Sequence, residues 1–418
     1  MLDGGVPANL RSSLIGTGRH SCALTAVRRM ITCRPGAPSI VRSDGGTNMR
    51  LRNKIFLSLG AVIVVGIAAL MITLSHESPC PSAPPVAAGT DTMRAVMHRC
   101  YGAPGKVLAV ERIAKPKPAA GEILIRIHVA SVNPYEYHMV TGKPYVMRLG
   151  TGIGLPEHHR VGYDMAGTVE AVGEGVTHFK VGDAVFGGAH GALAEYGLVR
   201  EHDADIVAKP DEVSYEDAAA LLIAGGTALQ ALRDYGHVAA GQKVLINGAS
   251  GGVGTYAVQL AKAFGAEVTA VCSTRNVELV SSLGADHVVD YTRENFTEGK
   301  QQYDLIVDNV GNQDFLDLRR VVKPTGTIVT VSGPKTNNFL GPISRIIKQK
   351  MIAPFIDQKL VFFVADVDVP DLELFAKLMR EGKLKTVIDR RYPLEEAGAA
   401  LDYIGGGHAR GKVIVTLR

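Results

Sequence analysis

The chain has 418 residues, 46% of them hydrophobic and 21% charged, with a formal net charge of +4. That length calls for more than one domain, and the composition excludes a disordered chain. The charge is too mild for a nucleic-acid partner, and no basic stripe with interleaved aromatics is present.

In chain order, residues 1–54 read as a disordered basic extension rich in Arg, Ser and Gly, within which Met49 offers a second plausible start. Residues 55–74, IFLSLGAVIVVGIAALMITL, carry no charge. At about 1.5 Å per residue such a helix spans a bilayer core of roughly 30 Å, which predicts a single transmembrane helix. Arg42, Arg50, Arg52 and Lys54 precede the span, and Arg94 is the first Lys or Arg after it. This bias puts the N-terminus in the cytoplasm and the rest outside. Residues 75–92, with SPCPSAPPVAAGT, read as a Pro/Ala linker.

From 93 to 214 the pattern is β-rich. EILIRIHVASVN alternates at its start, with Ile123, Ile125 and Ile127 on one face. From 215 to 384 strands and helices alternate. SYEDAAALLIAGGTALQAL is expected to be one helix capped by Ser214. KVLIN, EVTAVCS, HVVDY, YDLIVDNVG, GTIVTVSG and KLVFFVADVDV follow as strands, with helices at 252–264, NVELVSSLG and 370–380. Continuous apolar strands between helices predict an α/β fold with a doubly wound parallel sheet. The tail, 385–418, ends in the strand GKVIVTLR, which suggests a return to the first domain.

The five cysteines, Cys22, Cys33, Cys80, Cys100 and Cys272, form no C-x-x-C pair, so neither a zinc ribbon nor a redox pair is suggested. A disulfide framework is not expected in domains of this size. Cys272 is expected at a buried strand end.

The densest signal is VLINGASGGVGTYAVQLAK, 244–262. Strand, glycine turn, helix and second strand follow in order, with Ala249, Gly251 and Gly254 at the three fingerprint positions of a dinucleotide loop. Glycine lets the backbone approach a pyrophosphate, and the helix N-terminus offers free N–H groups. Ala249, Ser250, Gly251, Gly252, Val253 and Gly254 are therefore the candidate phosphate cradle. The second strand ends in Ser273, Thr274 and Arg275, where an NAD site places a carboxylate. Two hydroxyls and a guanidinium suit a 2′-phosphate, so the expected cofactor is NADPH, with NADH possible.

These stretches resemble the quinone oxidoreductase and zeta-crystallin branch of medium-chain dehydrogenases/reductases. The resemblance covers roughly 93–418 through SVNPYEYHMVTGKPY, GYDMAGTVEAVGEGVTHFKVGDAVFG, AGGTALQAL, GADHVVDY and GHARGKVIVTL, besides the glycine loop. It implies a GroES-like catalytic domain with a Rossmann domain inserted before its last strands. Zinc-dependent relatives carry a Cys, a G-H-E box and a further Cys. Here Asn133, Gly162-Tyr163-Asp164 and Leu222-Ile223-Ala224-Gly225 stand at those places. No thiolate or imidazole remains there, and His158 and His159 read as solvated loop residues, so no zinc is expected.

The resemblance also suggests site residues. Asn133 would donate to the substrate oxygen, Tyr137 or Tyr145 would line the pocket, and His138 would relay a proton or merely pack. Thr227 would stand near the nicotinamide and Tyr291 over the adenosine side. Asn309, Val310 and Ser332 would lie on loops at carboxyl ends of strands. The expected activity is direct hydride reduction of a quinone, enone or activated carbonyl, because without a Lewis acid an alcohol is hard to oxidise. Two alternatives stay open: an alcohol dehydrogenase working oxidatively, and a membrane-tethered dinucleotide-binding scaffold without turnover. Cofactor supply favours a cytoplasm-facing domain, against the charge bias. KLVFFV reads as an open sheet edge that a homodimer could pair.

Overall fold

The computed structural model describes residues 45–203, 205–333 and 337–417; the readings on residues 1–44 lie outside the described residues. The apolar segment is helical from Gly45 to Ser75. Residues 45–54 are thus helix rather than disordered extension. MRLRNK is built largely from good helix formers, and a nucleated helix propagates through them cheaply. Within it Asn53–Ser75, 23 residues, has the length to cross a membrane, and its most apolar 18-residue stretch has a mean hydropathy of 2.8.

Residues 76–91 form little regular structure, yet they are not a free spacer. Ser78 N–H donates to Gly154 O at 3.1 Å. Cys80 and Cys100 are joined as a disulfide, a pairing the sequence reading did not expect. Cys272 is a free, buried thiol at the end of its strand.

The folded body opens with β1 (Thr92–His98) and β2 (Leu108–Ala114), an antiparallel ribbon. Next come β3 (Glu122–Val132), β4 (Asp164–Val172), β5 (Ala184–Gly188), β6 (Tyr196–Arg200) and β7 (Ile206–Ala208). The parallel sheet is made from β8 (Lys243–Asn247), β9 (Glu267–Cys272), β10 (His287–Asp290), β11 (Tyr303–Asp308), β12 (Val322–Thr330) and β13 (Lys359–Phe362), in the order β10-β9-β8-β11-β12-β13. Finally β14 (Ile388–Pro393) and β15 (Lys412–Thr416) rejoin the first sheet, where β15 runs antiparallel to β3 with Val413 opposite Val132. The chain therefore returns to its first sheet. Ile123, Ile125 and Ile127 share one buried cluster with Val413 and Val415.

Two elements differ from the sequence reading. The helix expected over 214–232 is two helices, Tyr215–Ala219 and Leu222–Gln230, with a π-helical turn after the second. Tertiary bonds hold the break: Tyr256 Oη donates to Ala220 O at 3.1 Å, and Ile223 N–H donates to Asp164 Oδ1 at 3.3 Å. Ser214 caps the first helix as expected, accepting from Asp217 N–H. β13 stops at Phe362 because Gln230 fixes the chain at Asp366, donating to its carbonyl and accepting from its N–H. β13 is an outer strand of its sheet.

Candidate active site

The cofactor half is built on the turn after β8. Gly248 has φ of +75°, a region side-chain-bearing residues avoid. A Cβ at Gly254 would stand 2.2 Å from Gly248 O, so only glycine lets the helix Gly252–Ala263 start this close to the turn. The N-cap of that helix is Gly251, and no side chain caps it. Its first N–H groups are left for a ligand, with the helix dipole behind them. Ala249 N–H instead donates to Val271 O at 3.0 Å, and Ser250 Oγ accepts from Asn276 Nδ2 at 2.9 Å. Val253 is partly buried beside Gly254 in the first turn.

Three buried polar groups around this edge have no partner: the Asn309 amide, Thr330 Oγ1 and Asn276 Oδ1. Orphaned polar atoms at the carboxyl ends of parallel strands suit a polar cofactor lying across them. Asn309 is held there by a pair the sequence reading missed. Asp308 is fully buried and accepts from Arg345 Nη2 at 2.6 Å, from Asn247 Nδ2 at 2.9 Å and from Gly311 N–H at 2.9 Å. Arg345 also donates to Gly311 O and Gln313 O, so the loop 309–313 is fixed on both sides. Val310 is exposed, and Ser332 O abuts Gly311.

At the end of β9 the structure departs from expectation. A carboxylate does stand there: Asp290, from the end of β10, accepts from Thr274 Oγ1 at 2.5 Å and from Thr292 Oγ1 at 2.7 Å. These bonds, Thr274 first, hold its pKa below the usual range. Thr274 is thus committed, while Ser273 Oγ accepts from Asn276. Arg275 donates to His408 O at 3.0 Å, and Arg410 donates to Arg275 O at 3.4 Å, so two exposed cations meet beyond the strand end. Tyr291 is exposed just after Asp290.

The candidate substrate half lies where the first sheet meets the helix break. Asn133 caps the helix Pro134–Thr141, and Glu136 completes a capping box by accepting from Asn133 N–H at 2.9 Å. Asn133 Nδ2 donates to Asp164 Oδ2 at 3.1 Å, and Ser131 Oγ donates to the same oxygen at 2.9 Å. With Ile223 N–H on the other oxygen, the three stretches at the zinc-ligand places of the relatives do come together around Asp164. Into that cluster reaches Lys412, which the sequence reading missed. Its Nζ donates to Asn133 Oδ1 and lies 3.5 Å from Asp164 Oδ2. Lys412 is only 2% exposed. A Cβ at Gly252 would stand 3.3 Å from Lys412 Cδ, so the lysine stem passes along the first turn of the cofactor helix. One side chain thereby links the two halves. Glu136 is buried beside them, and burial, with the Asp164 charge, pushes its carboxyl up to about 8. Among the described residues no group of three or more His, Cys, Asp or Glu could hold a metal ion.

The other named residues are placed as follows. The Tyr137 ring presses on Gly405 and packs with the first-sheet core. His138 Nδ1 donates to Lys143 O at 2.7 Å, which fixes its ring. Tyr145 N–H donates to Asn338 O at 2.7 Å, and its ring meets Phe339, so it braces the loop after β12. Thr227 Oγ1 donates to Ile223 O at 2.6 Å.

A β-rich domain interrupted by a parallel α/β domain, with a bare glycine cradle at their junction, defines a nicotinamide-dependent oxidoreductase. The comparisons agree. A profile for the alcohol dehydrogenase GroES-like domain matches residues 119–211, and one for zinc-binding dehydrogenases matches 283–415. The chain is 34% identical over 339 residues to the chloroplastic quinone-oxidoreductase homolog of Spinacia oleracea, covering 77% of this chain and 98% of that one. It is 33% identical over 332 residues to the mitochondrial NAD(P)H oxidoreductase RTN4IP1 of Mus musculus, covering 71% and 82%. The solved quinone oxidoreductase from Coxiella burnetii superposes with a TM-score of 0.67 at 31% identity, covering 78% of this chain and all of that one. The chain belongs to the medium-chain dehydrogenase/reductase superfamily, in its quinone oxidoreductase-like branch. It is an NAD(P)H-dependent oxidoreductase.

Proposed function

We propose that this enzyme is an NADPH-dependent, zinc-independent reductase of quinones, enones or activated carbonyls, anchored in a membrane by its apolar helix. Lys412 is the observation that carries the reading. Its stem lies along the cofactor helix, and its ammonium is fixed between Asn133 and Asp164. A preorganised cation at that junction stabilises negative charge forming on a substrate oxygen, the service a metal ion gives elsewhere. The donor set does not fit zinc. It offers one amide and the Asp164 carboxylate, both joined to Lys412, and a second carboxyl, Glu136, that accepts from Asn133 N–H and is pushed toward its neutral form by burial, where a catalytic zinc takes about three protein ligands.

The glycine cradle at Gly248–Gly254 would hold a reduced nicotinamide, which would supply the hydride while solvent supplies the proton, giving a hydroquinone from a quinone, a saturated carbonyl from an enone or an alcohol from an activated carbonyl, with the oxidised cofactor. Asn133 then orients Lys412 rather than acting as the principal donor, since its amide is engaged on both sides. The preference for NADPH rests on Arg275 and Arg410 together, with Asp290 turned toward Thr274 and Thr292. The apolar span and its basic flank support the anchor. Cofactor supply favours a cytoplasm-facing domain; the flank and the Cys80–Cys100 bond favour the other side. Protease protection on intact cells decides which.

The test is NADPH oxidation by the purified full chain against quinones, enones and aldehydes, with alcohols tried in reverse. The reading expects turnover on quinones or enones to exceed alcohol oxidation. Alcohol oxidation alone would favour the dehydrogenase alternative, and binding without turnover the scaffold.

A further inference from the structure

The end of the apolar helix is tied to the substrate half by one buried guanidinium. Arg148 has no exposed surface, and its donors are shared between two helix C-termini. Nη1 donates to Leu74 O at 3.1 Å and His76 O at 2.8 Å, at the end of the apolar helix. Nε donates to Gly142 O at 2.9 Å and Nη2 to Thr141 O at 3.5 Å, at the end of the helix that Asn133 caps. Nη2 also pairs with Glu77 at 3.0 Å, and the guanidinium lies over the rings of Tyr101 and Tyr145 at 4.3 and 4.7 Å. A cation at a helix C-terminus is favourable, and here it serves two at once. The Asn133-capped helix has 8 residues, so the polar cluster stands about 12 Å along it from this joint. The Ser78–Gly154 bond and the Cys80–Cys100 disulfide keep the joint from swinging.

On the same segment Leu149 and Ile153 are 60% and 53% exposed, beside the point where the apolar helix ends. We infer that this joint holds the substrate half at the bilayer surface, with Leu149 and Ile153 seated in the interface, so that the enzyme takes a quinone or enone dissolved in the membrane. The inference rests on the reductase and anchor readings above and adds the phase from which the substrate comes. The apolar helix fixes the occupant of this face as lipid, since its own exposed surface has no other cover among the described residues.

The test reconstitutes the full chain in phosphatidylcholine vesicles with NADPH outside the bilayer core. Two acceptors are compared, a long-chain isoprenoid quinone resident in the vesicle and a short-chain, water-soluble quinone. For L149D/I153D, both changes being on exposed side chains, turnover of the resident quinone should fall at least tenfold while kcat/KM for the soluble one stays within twofold. Equal effects on both quinones, or reduction of the soluble quinone with none of the resident one by the unaltered chain, would overturn the inference and leave the reductase reading standing. If neither quinone is reduced, the reductase reading fails and this one with it. If the double change only converts a dimer to a monomer, the face is a contact between copies and the inference is wrong.

Discussion

At the glycine loop the groups that receive a ligand belong to neighbouring residues of one turn, and most of them are backbone. At the substrate half every working group is a side chain or a freed N–H, brought from residues 131, 133, 136, 164, 223 and 412. The first kind of site needs only a local backbone path. The second needs strands from distant parts of the chain paired in one sheet, because Lys412 meets Asn133 through the pairing of β15 with β3, and Asp164 comes from β4 on the other side of β3. The glycine turn therefore depends little on distant residues, whereas the substrate half concentrates its charge in one buried cluster whose members depend on each other.

The largest effect that could break this comparison is at Lys412. K412M is expected to lower kcat by about 10²–10³, the range for losing one preorganised electrostatic donor, while the NADPH Kd changes only a few-fold. Steady-state kinetics with cofactor titration reads both, and an unchanged kcat would reduce Lys412 to a structural ion pair. At the cofactor half, R275A is expected to raise the KM for NADPH about tenfold and leave that for NADH unchanged, the size of one charge-assisted contact. R275A/R410A should go further, and equal effects on both cofactors would remove the 2′-phosphate assignment.

A smaller effect separates the halves by pH. Glu136 is raised from 4.5 to about 8, so the folded protein holds a proton that the unfolded chain has lost in that window. Folding then takes up a proton, and stability falls as pH rises from about 4.5 through about 8, by at most about 1.4 kcal/mol per unit. E136Q keeps a carbonyl oxygen for Asn133 N–H and removes the titration. Its denaturation midpoint should vary less over this range than that of the unaltered protein, and parallel curves would contradict the assignment.

The same contrast explains what the sequence disclosed. The parallel sheet, the glycine turn and the return of GKVIVTLR were legible because period, glycine spacing and apolar runs are local. Asp290 was not: β9 itself ends without a carboxylate, the one beside its end comes from the neighbouring strand, and sheet order is needed to see it. Lys412 left one faint signal, a lysine opening an otherwise apolar strand. The break at Ala220 left none, because its cause is the Tyr256 hydroxyl from another helix. The Cys80–Cys100 pair left none either, because nothing local places residue 80 beside residue 100.

The central claim is that Lys412 supplies at the junction the positive charge that zinc supplies in related enzymes. It is tested most directly by assaying NADPH-dependent quinone reduction by the full chain before and after exhaustive treatment with a chelator. Unchanged kcat and KM, with no stoichiometric metal by elemental analysis, is the predicted result. Activity lost on chelation and restored by zinc would contradict it.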